Sequence, residues 1–183
     1  MELTPDDVWS ALTAAEKTDA CAAFWERKDP ESRQAQTLVV QQLAPLYNFR
    51  PVFIARKSPA EKARLLSARI ERPVFRNVRD EVMQIFLLMR KGKLIERFLD
   101  AQGIAHKNGI IDDDVPAPDE ASLRKGIVAL LAEFPRRDVA LYLGFSVAFK
   151  NNEFWAHLEP SVLAEMPDIV EALRSSEPAN SQK

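Results

Sequence analysis

Apolar side chains recur along most of the chain at the three- and four-residue spacing of a helix that buries one face. The most hydrophobic segment carries such a stripe at Val78, Val82, Ile85 and Met89. A second stripe lies at Ala35, Leu38, Leu43 and Leu46. The pattern predicts a helical chain, and it places much of the core in residues 78–99 and 139–149.

Several predicted helices begin with a recognisable capping residue, namely Thr4, Thr13, Asp29 and Ser58. Each is followed by proline or by an acid three residues later, which is typical of a helix N-terminus. The helix from Thr13 is expected to end near Lys28. The helix from Asp29 is expected to be ended by Pro45 and Pro51. The helix from Ser58 is expected to end near Arg72, because Pro73 excludes α geometry from the residue before it.

Small residues recur every four positions at Ala140, Gly144 and Ala148, within a helix predicted from Asp138 to Lys150. This ridge predicts a close approach by another helix. Strand signals are weak, and no repeat of fixed period occurs. We therefore predict an all-α fold, with about eight helices in non-repeat orthogonal or bundle-like packing. One globular domain is expected over residues 1–174, followed by a disordered tail at 175–183.

The composition agrees with a folded helical chain. Leu, Ile, Val and Phe make up 51 of the 183 residues, well above the level of disordered chains. Only five glycines are present, which is few for a protein with many tight turns. Cys21 is the one cysteine, so no disulfide within the chain is possible.

The N-terminal segment is acidic rather than basic, with Glu2, Asp6 and Asp7, and it lacks the pattern of a secretory signal. The longest apolar run, from Val139 to Phe149, is too short to cross a bilayer. We therefore expect a soluble cytoplasmic protein with no membrane partner.

Charge is distributed unevenly, although the formal net charge is only −2. Residues 50–97 carry 13 Lys or Arg against 5 Asp or Glu. Four arginines recur there at spacings of three and four residues, namely Arg69, Arg72, Arg76 and Arg79. Arginine is well suited to phosphate and carboxylate, so these four are the candidate anion-binding residues. The competing interpretation, which we favour, is that they pair with acidic segments of the same chain.

The loop from Ile104 to Pro118 offers a second candidate site. Asp112, Asp113 and Asp114 stand together there, and His106 precedes them. Oxygen ligands of this kind suit Mg²⁺ or Ca²⁺. The spacing does not match a calcium-binding loop, and two histidines with one cysteine exclude the usual zinc sites. The sequence therefore assigns no metal and no cofactor, and a metal-dependent enzyme using this loop remains an alternative.

Catalytic motifs are otherwise missing. The chain has no glycine-rich phosphate loop and no serine-hydrolase elbow. We interpret Cys21 as a buried apolar residue and His157 as a packed or capping side chain. The three tryptophans and ten phenylalanines are interpreted as core.

Taken together, these observations favour a non-enzymatic protein-interaction or self-association module. One alternative is anion or nucleic-acid binding through residues 50–97, although the aromatic side chains that would stack on bases are few there. The other is an enzyme built on the 104–118 loop. Catalytic residues are not assigned.

Overall fold

The computed structural model describes residues 3–112, 114–148 and 153–174. Within them the chain forms α-helices and no strands, so the all-α prediction is confirmed. The helices are α1 (Pro5–Ser10), α2 (Ala14–Glu26), α3 (Pro30–Leu46), α4 (Pro51–Ala55), α5 (Pro59–Ser67), α6 (Arg76–Arg90), α7 (Gly92–Gln102), α8 (Glu120–Glu133), α9 (Arg136–Ala148), α10 (Leu158–Glu165) and α11 (Ile169–Arg174). Eight of the helices in the described residues have seven residues or more, in agreement with the predicted number. None of them is both long and apolar enough to cross a bilayer.

The helix starts follow the predicted caps. Thr4, Thr13 and Ser58 each accept a hydrogen bond from the backbone N–H three residues later, and the acid at that position bonds back to the cap. Asp29 caps α3 in the same position, with its carboxylate accepting from the N–H of Ser32 at 2.9 Å. These local signals fix four helix starts.

One predicted helix end agrees with the structure and the next is wrong. Helix α3 ends at Leu46, between Pro45 and Pro51, and Pro45 lies in its last turn, where few intrahelical bonds remain to be lost. The helix that begins after Ser58 ends at Ser67 rather than near Arg72. The chain turns at Ala68, and this turn brings Ile70 into the core, where it is fully buried.

Backbone contacts divide the chain into two compact units. The central unit is Leu12–Arg90, and the terminal unit combines Met1–Ala11 with Lys91–Lys183. The predicted single domain over 1–174 stays a prediction, and the predicted tail at 175–183 lies outside the described residues.

In the central unit, α2 packs against α5 and α6, and α3 packs against α4. The buried side chains of α6 include Val82 and Phe86, as its stripe predicts. The same stripe predicts that Met89 is buried, but its side chain is 39% exposed, and Leu38 of α3 is 54% exposed. Both helices bury a face slightly rotated from the predicted one, because their neighbours cover Met83 and Val40 instead.

In the terminal unit, α7 packs against α8, while α1 and α11 pack against α9. The predicted ridge of small residues lies at this second contact. A Cβ added to Gly144 would lie 3.2 Å from Leu3 and 3.3 Å from Leu173. The glycine therefore allows the close approach that its spacing predicted. Phe149 and Lys150, at the predicted end of this helix, lie outside the described residues.

Candidate functional site

The four candidate anion-binding arginines occupy different positions around a bend in the central unit. Arg69 lies in the turn after α5, and Arg72 immediately precedes a 3₁₀ turn at Pro73–Phe75. Arg76 and Arg79 belong to the first turn of α6. Pro73 therefore interrupts the series, as its position in the sequence indicates.

Their environments differ as much as their positions. Arg72 and Arg76 are exposed, whereas Arg79 is buried. The guanidinium of Arg69 is half-buried over the ring of Tyr47, 5.1 Å from its centroid. Anion binding by all four arginines stays a prediction.

Pairing of these arginines within the chain is also limited. Arg69, Arg72 and Arg76 form no ion pair in the part of the chain that the structure describes. Other cations of the central unit are paired there. Lys17 bonds Glu71 at 2.7 Å, and Arg90 bonds both Asp19 and Glu26.

In the 104–118 loop, the side chain of His106 contacts residues that are close to it in the chain. His106 Nε2 lies 3.2 Å from Asp100 Oδ1, and its Nδ1 accepts from the Gly109 N–H at 3.2 Å. Asp112 and Asp114 are exposed, and Asp113 lies outside the described residues. No group of three potential metal ligands occurs among the residues described.

The remaining candidates for chemistry are Cys21 and His157. Cys21 is fully buried, and burial raises the pKa of its thiol to about 12, so the nucleophilic thiolate is suppressed. This agrees with an apolar role. His157 stands at the N-terminus of α10 but is exposed and makes no capping hydrogen bond with its side chain. The prediction of a packed or capping side chain is wrong, because the nearby Leu158 fills the core position instead.

Two phenylalanines that the sequence predicts to be buried lie at the surface instead. The sequence predicts Phe49 and Phe53 in the core, but they are 39% and 50% exposed, and Val52 between them is 53% exposed. Their rings pack edge to face with centroids 4.7 Å apart, and Phe49 also stacks on Tyr47. We call the exposed Phe49, Val52 and Phe53 with the adjacent exposed Arg50 and Arg56 the aromatic surface.

Local backbone structure positions this surface. The N–H of Asn48 bonds the Pro45 carbonyl, and the N–H of Phe49 bonds the Ala44 carbonyl, which closes the end of α3. Asn48 has a positive φ of 54°, a conformation that asparagine tolerates well. Pro51 then starts α4, the short helix that carries Phe53. The turn and helix hold the two phenylalanine rings beside each other.

Cations lie at both ends of this row of rings. Arg69 covers Tyr47, and the ammonium of Lys57 lies 4.7 Å from the centroid of Phe53. Lys57 also bonds Glu61 at 3.1 Å. Arg50 and Arg56 add two exposed guanidinium groups without an ion pair among the described residues.

One sequence signal for this region was missed. No Asp or Glu occurs in the 29 residues between Glu31 and Glu61, which contain Arg33, Arg50, Arg56 and Lys57. This stretch without acids begins at residue 32. The basic segment at residues 50–97 includes only its last part, so the charge of that segment does not reveal it. Exposure of the two phenylalanines, by contrast, has no signal in the periodicity.

The chain was also compared with known proteins. No protein-family model, no curated protein and no solved structure matches it.

Proposed function

We propose that this protein is a non-enzymatic binding module that holds an acidic partner protein on its aromatic surface. The observation that carries the proposal is the exposure of Phe49 and Phe53 in a stretch of chain that has no carboxylate. Large exposed apolar side chains that adjoin one another are typical of interaction sites. Aromatic residues and arginine are also the types enriched in protein interfaces.

The charge of the surface determines the chemistry of the partner. Arg50 and Arg56 border the rings, and neither has an ion-pair partner in the described part of the chain. A partner segment with apolar side chains and nearby carboxylates would cover the rings and place its charges against these arginines. Such charge complementarity accelerates association and selects between partners.

Nucleic acid is the competing occupant, because aromatic rings and arginines also bind single strands. Three observations favour protein. The faces of the rings are partly occupied, since Tyr47 stacks on Phe49 and Lys57 covers Phe53. Val52 is aliphatic, so it adds nothing to base stacking. The net charge of the chain is −2, which gives it no general attraction for a polyanion.

Quantitative mass spectrometry of affinity-purified protein would test the proposal. Wild type would be compared with Phe49→Ser/Phe53→Ser, with Arg50→Gln/Arg56→Gln, and with Val128→Ser as the control. Val128 is 52% exposed on α8, outside the aromatic surface. We expect at least one acidic protein to be lost with both double variants and retained with the control.

The binding must then be reproduced with the purified partner. Truncation of a hot-spot residue weakens binding by about 2 kcal/mol or more. Since the proposal makes Phe49 and Phe53 the centre of the interface, a change in affinity of about twofold or less would contradict it. Loss of bound material after nuclease treatment would favour the nucleic-acid alternative. A second copy of the chain as the partner would appear as a dimer in native mass spectrometry, and the double variants would dissociate it.

A further inference from the structure

A cleft of about 300 Å³ lies in the central unit, and its lining combines cationic, polar and apolar side chains. Trp25 of α2, Arg33 and Val40 of α3, and Lys62 of α5 contribute to its walls. This volume is at the lower end of the range for small-molecule sites. Ala55 of α4 also lines it, so residues from four helices converge on a space that suits a small ligand.

The lining is cationic and contains no acid. Arg33 and Lys62 both border the cleft, and neither forms an ion pair with a carboxylate among the described residues. The ammonium of Lys62 lies 5.4 Å from the ring centroid of Trp25, which holds it at the wall of the cleft. Two unneutralised cations facing one cleft favour an anionic occupant.

Polar and apolar groups of the lining define the rest of the ligand. The Gln36 side-chain amide donates to the carbonyls of Phe24 and Arg27, at 2.8 and 3.1 Å, which fixes its position in the wall. The Thr37 hydroxyl donates to the Arg33 carbonyl, so its oxygen is left to accept. Val40 and Ala55 supply apolar contact.

We infer that this cleft binds a small phosphate monoester, with the phosphate held by Arg33 and Lys62 and the organic part against Val40 and Ala55. The guanidinium can bond two phosphate oxygens at once, and the ammonium supplies a second positive charge. A phosphate monoester carries close to two negative charges at neutral pH, which the two cations balance. A carboxylate would carry only one.

The inference is independent of the partner-binding proposal, because none of the cleft residues used here belongs to the aromatic surface. Lys28 and Arg64 provide matched controls for the two cations. Both are exposed, neither lines the cleft, and Arg64 lies on the same helix as Lys62. Replacing a control residue by glutamine therefore removes one charge without altering the cleft.

Calorimetric titration of the full chain with phenyl phosphate at neutral pH tests the inference. We expect saturable binding with one ligand per chain, weakened about tenfold or more by Arg33→Gln and by Lys62→Gln, as for loss of a charge-assisted hydrogen bond. Lys28→Gln and Arg64→Gln should change affinity by about twofold or less, as expected for screened surface charges. Circular dichroism would establish that each variant keeps its helix content.

Two further ligands separate the phosphate from its competitors. Benzoate has one charge and should bind more weakly, and benzyl alcohol has none and should not bind. Lowering the pH below the second phosphate pKa, about 6, should weaken phenyl phosphate binding. Absence of saturable binding, equal losses in the control variants, or benzoate binding as tightly as phenyl phosphate would each overturn the inference.

Discussion

Two glycines in the terminal unit differ in the space around them. A Cβ added to Gly126 in α8 would lie 2.8–2.9 Å from Phe98 and 2.9 Å from Gln102. Phe98 is 1% exposed and can move little. A Cβ added to Gly92 would meet nothing within 4 Å.

We expect Gly126→Ala to lower the free energy of unfolding by about 1–2 kcal/mol, since overpacking outweighs the gain in helix propensity. Gly92→Ala is the control, and it should leave the free energy of unfolding unchanged or raise it by up to about 1 kcal/mol. Urea unfolding of the two variants measures the difference. A Gly126→Ala protein as stable as Gly92→Ala would show that Phe98 of α7 can move away from α8 and make room for the added methyl group.

At the residue scale, the sequence predicts which side chains are apolar better than it predicts where they lie. Cys21 and Trp9 are buried as interpreted, whereas Phe49 and Phe53 are not. Nothing local distinguishes these two groups, because exposure depends on whether a neighbouring helix covers the position. Val52 and Phe53 lie on the short α4, where they stay exposed as part of the aromatic surface.

Helix caps give an element-scale prediction about pH. In α5, the Glu61 carboxylate accepts from the Ser58 backbone N–H at 3.0 Å, from its hydroxyl at 2.8 Å and from Lys57 at 3.1 Å. These bonds, the backbone bond above all, lower the pKa of Glu61 from 4.5 to about 2. The unfolded chain therefore binds this proton more readily than the folded chain does.

The resulting stabilisation is complete above pH 4.5 and is lost as the pH falls towards about 2. Glu61→Gln removes the titrating group. Above pH 4.5 the wild type should therefore have the higher free energy of unfolding, and this difference should shrink as the pH falls from 4.5 to about 2. Unfolding measured across this pH range tests the prediction. A difference that stays constant would mean that Glu61 titrates alike in both states.

Four helix starts were predictable from adjacent residues, whereas the end of α5 was not, for a physical reason. A start depends on a few adjacent residues, as at Thr13 and Ser58, whose side chains satisfy free N–H groups directly. The end of α5 depends instead on the burial of Ile70, which distant residues determine. The same limit applies to the cleft, whose cations Arg33 and Lys62 stand on separate helices and form no motif.

At the scale of the whole molecule, charge separates the two units. The central unit carries 14 Lys or Arg against 9 Asp or Glu, and the terminal unit carries 11 against 18. The aromatic surface and the cleft both lie in the basic unit. The uneven charge was visible in the sequence, but its boundaries were not, because the terminal unit joins segments that are about 80 residues apart in the chain.

This joining of distant segments gives the last prediction. Residues 3–11 belong with the helices after residue 90, since Val8 is fully buried and lies 3.6 Å from a Cβ placed on Gly144. Arg137 also donates to the Ala11 carbonyl at 3.0 Å. Removing residues 1–11 would therefore expose the face of α9 that these residues cover and break this hydrogen bond.

Hydrogen exchange of the truncated chain, followed by mass spectrometry, measures the effect region by region. We expect faster exchange in α9 and α11, because local stability depends on buried apolar contacts. Exchange in α2 and α5 should stay as in the full chain, since their mutual contacts belong to the central unit and none is removed. Equal acceleration in all four helices would mean that the two units do not unfold separately, whereas no change in α9 would mean that the N-terminal segment is not part of its core.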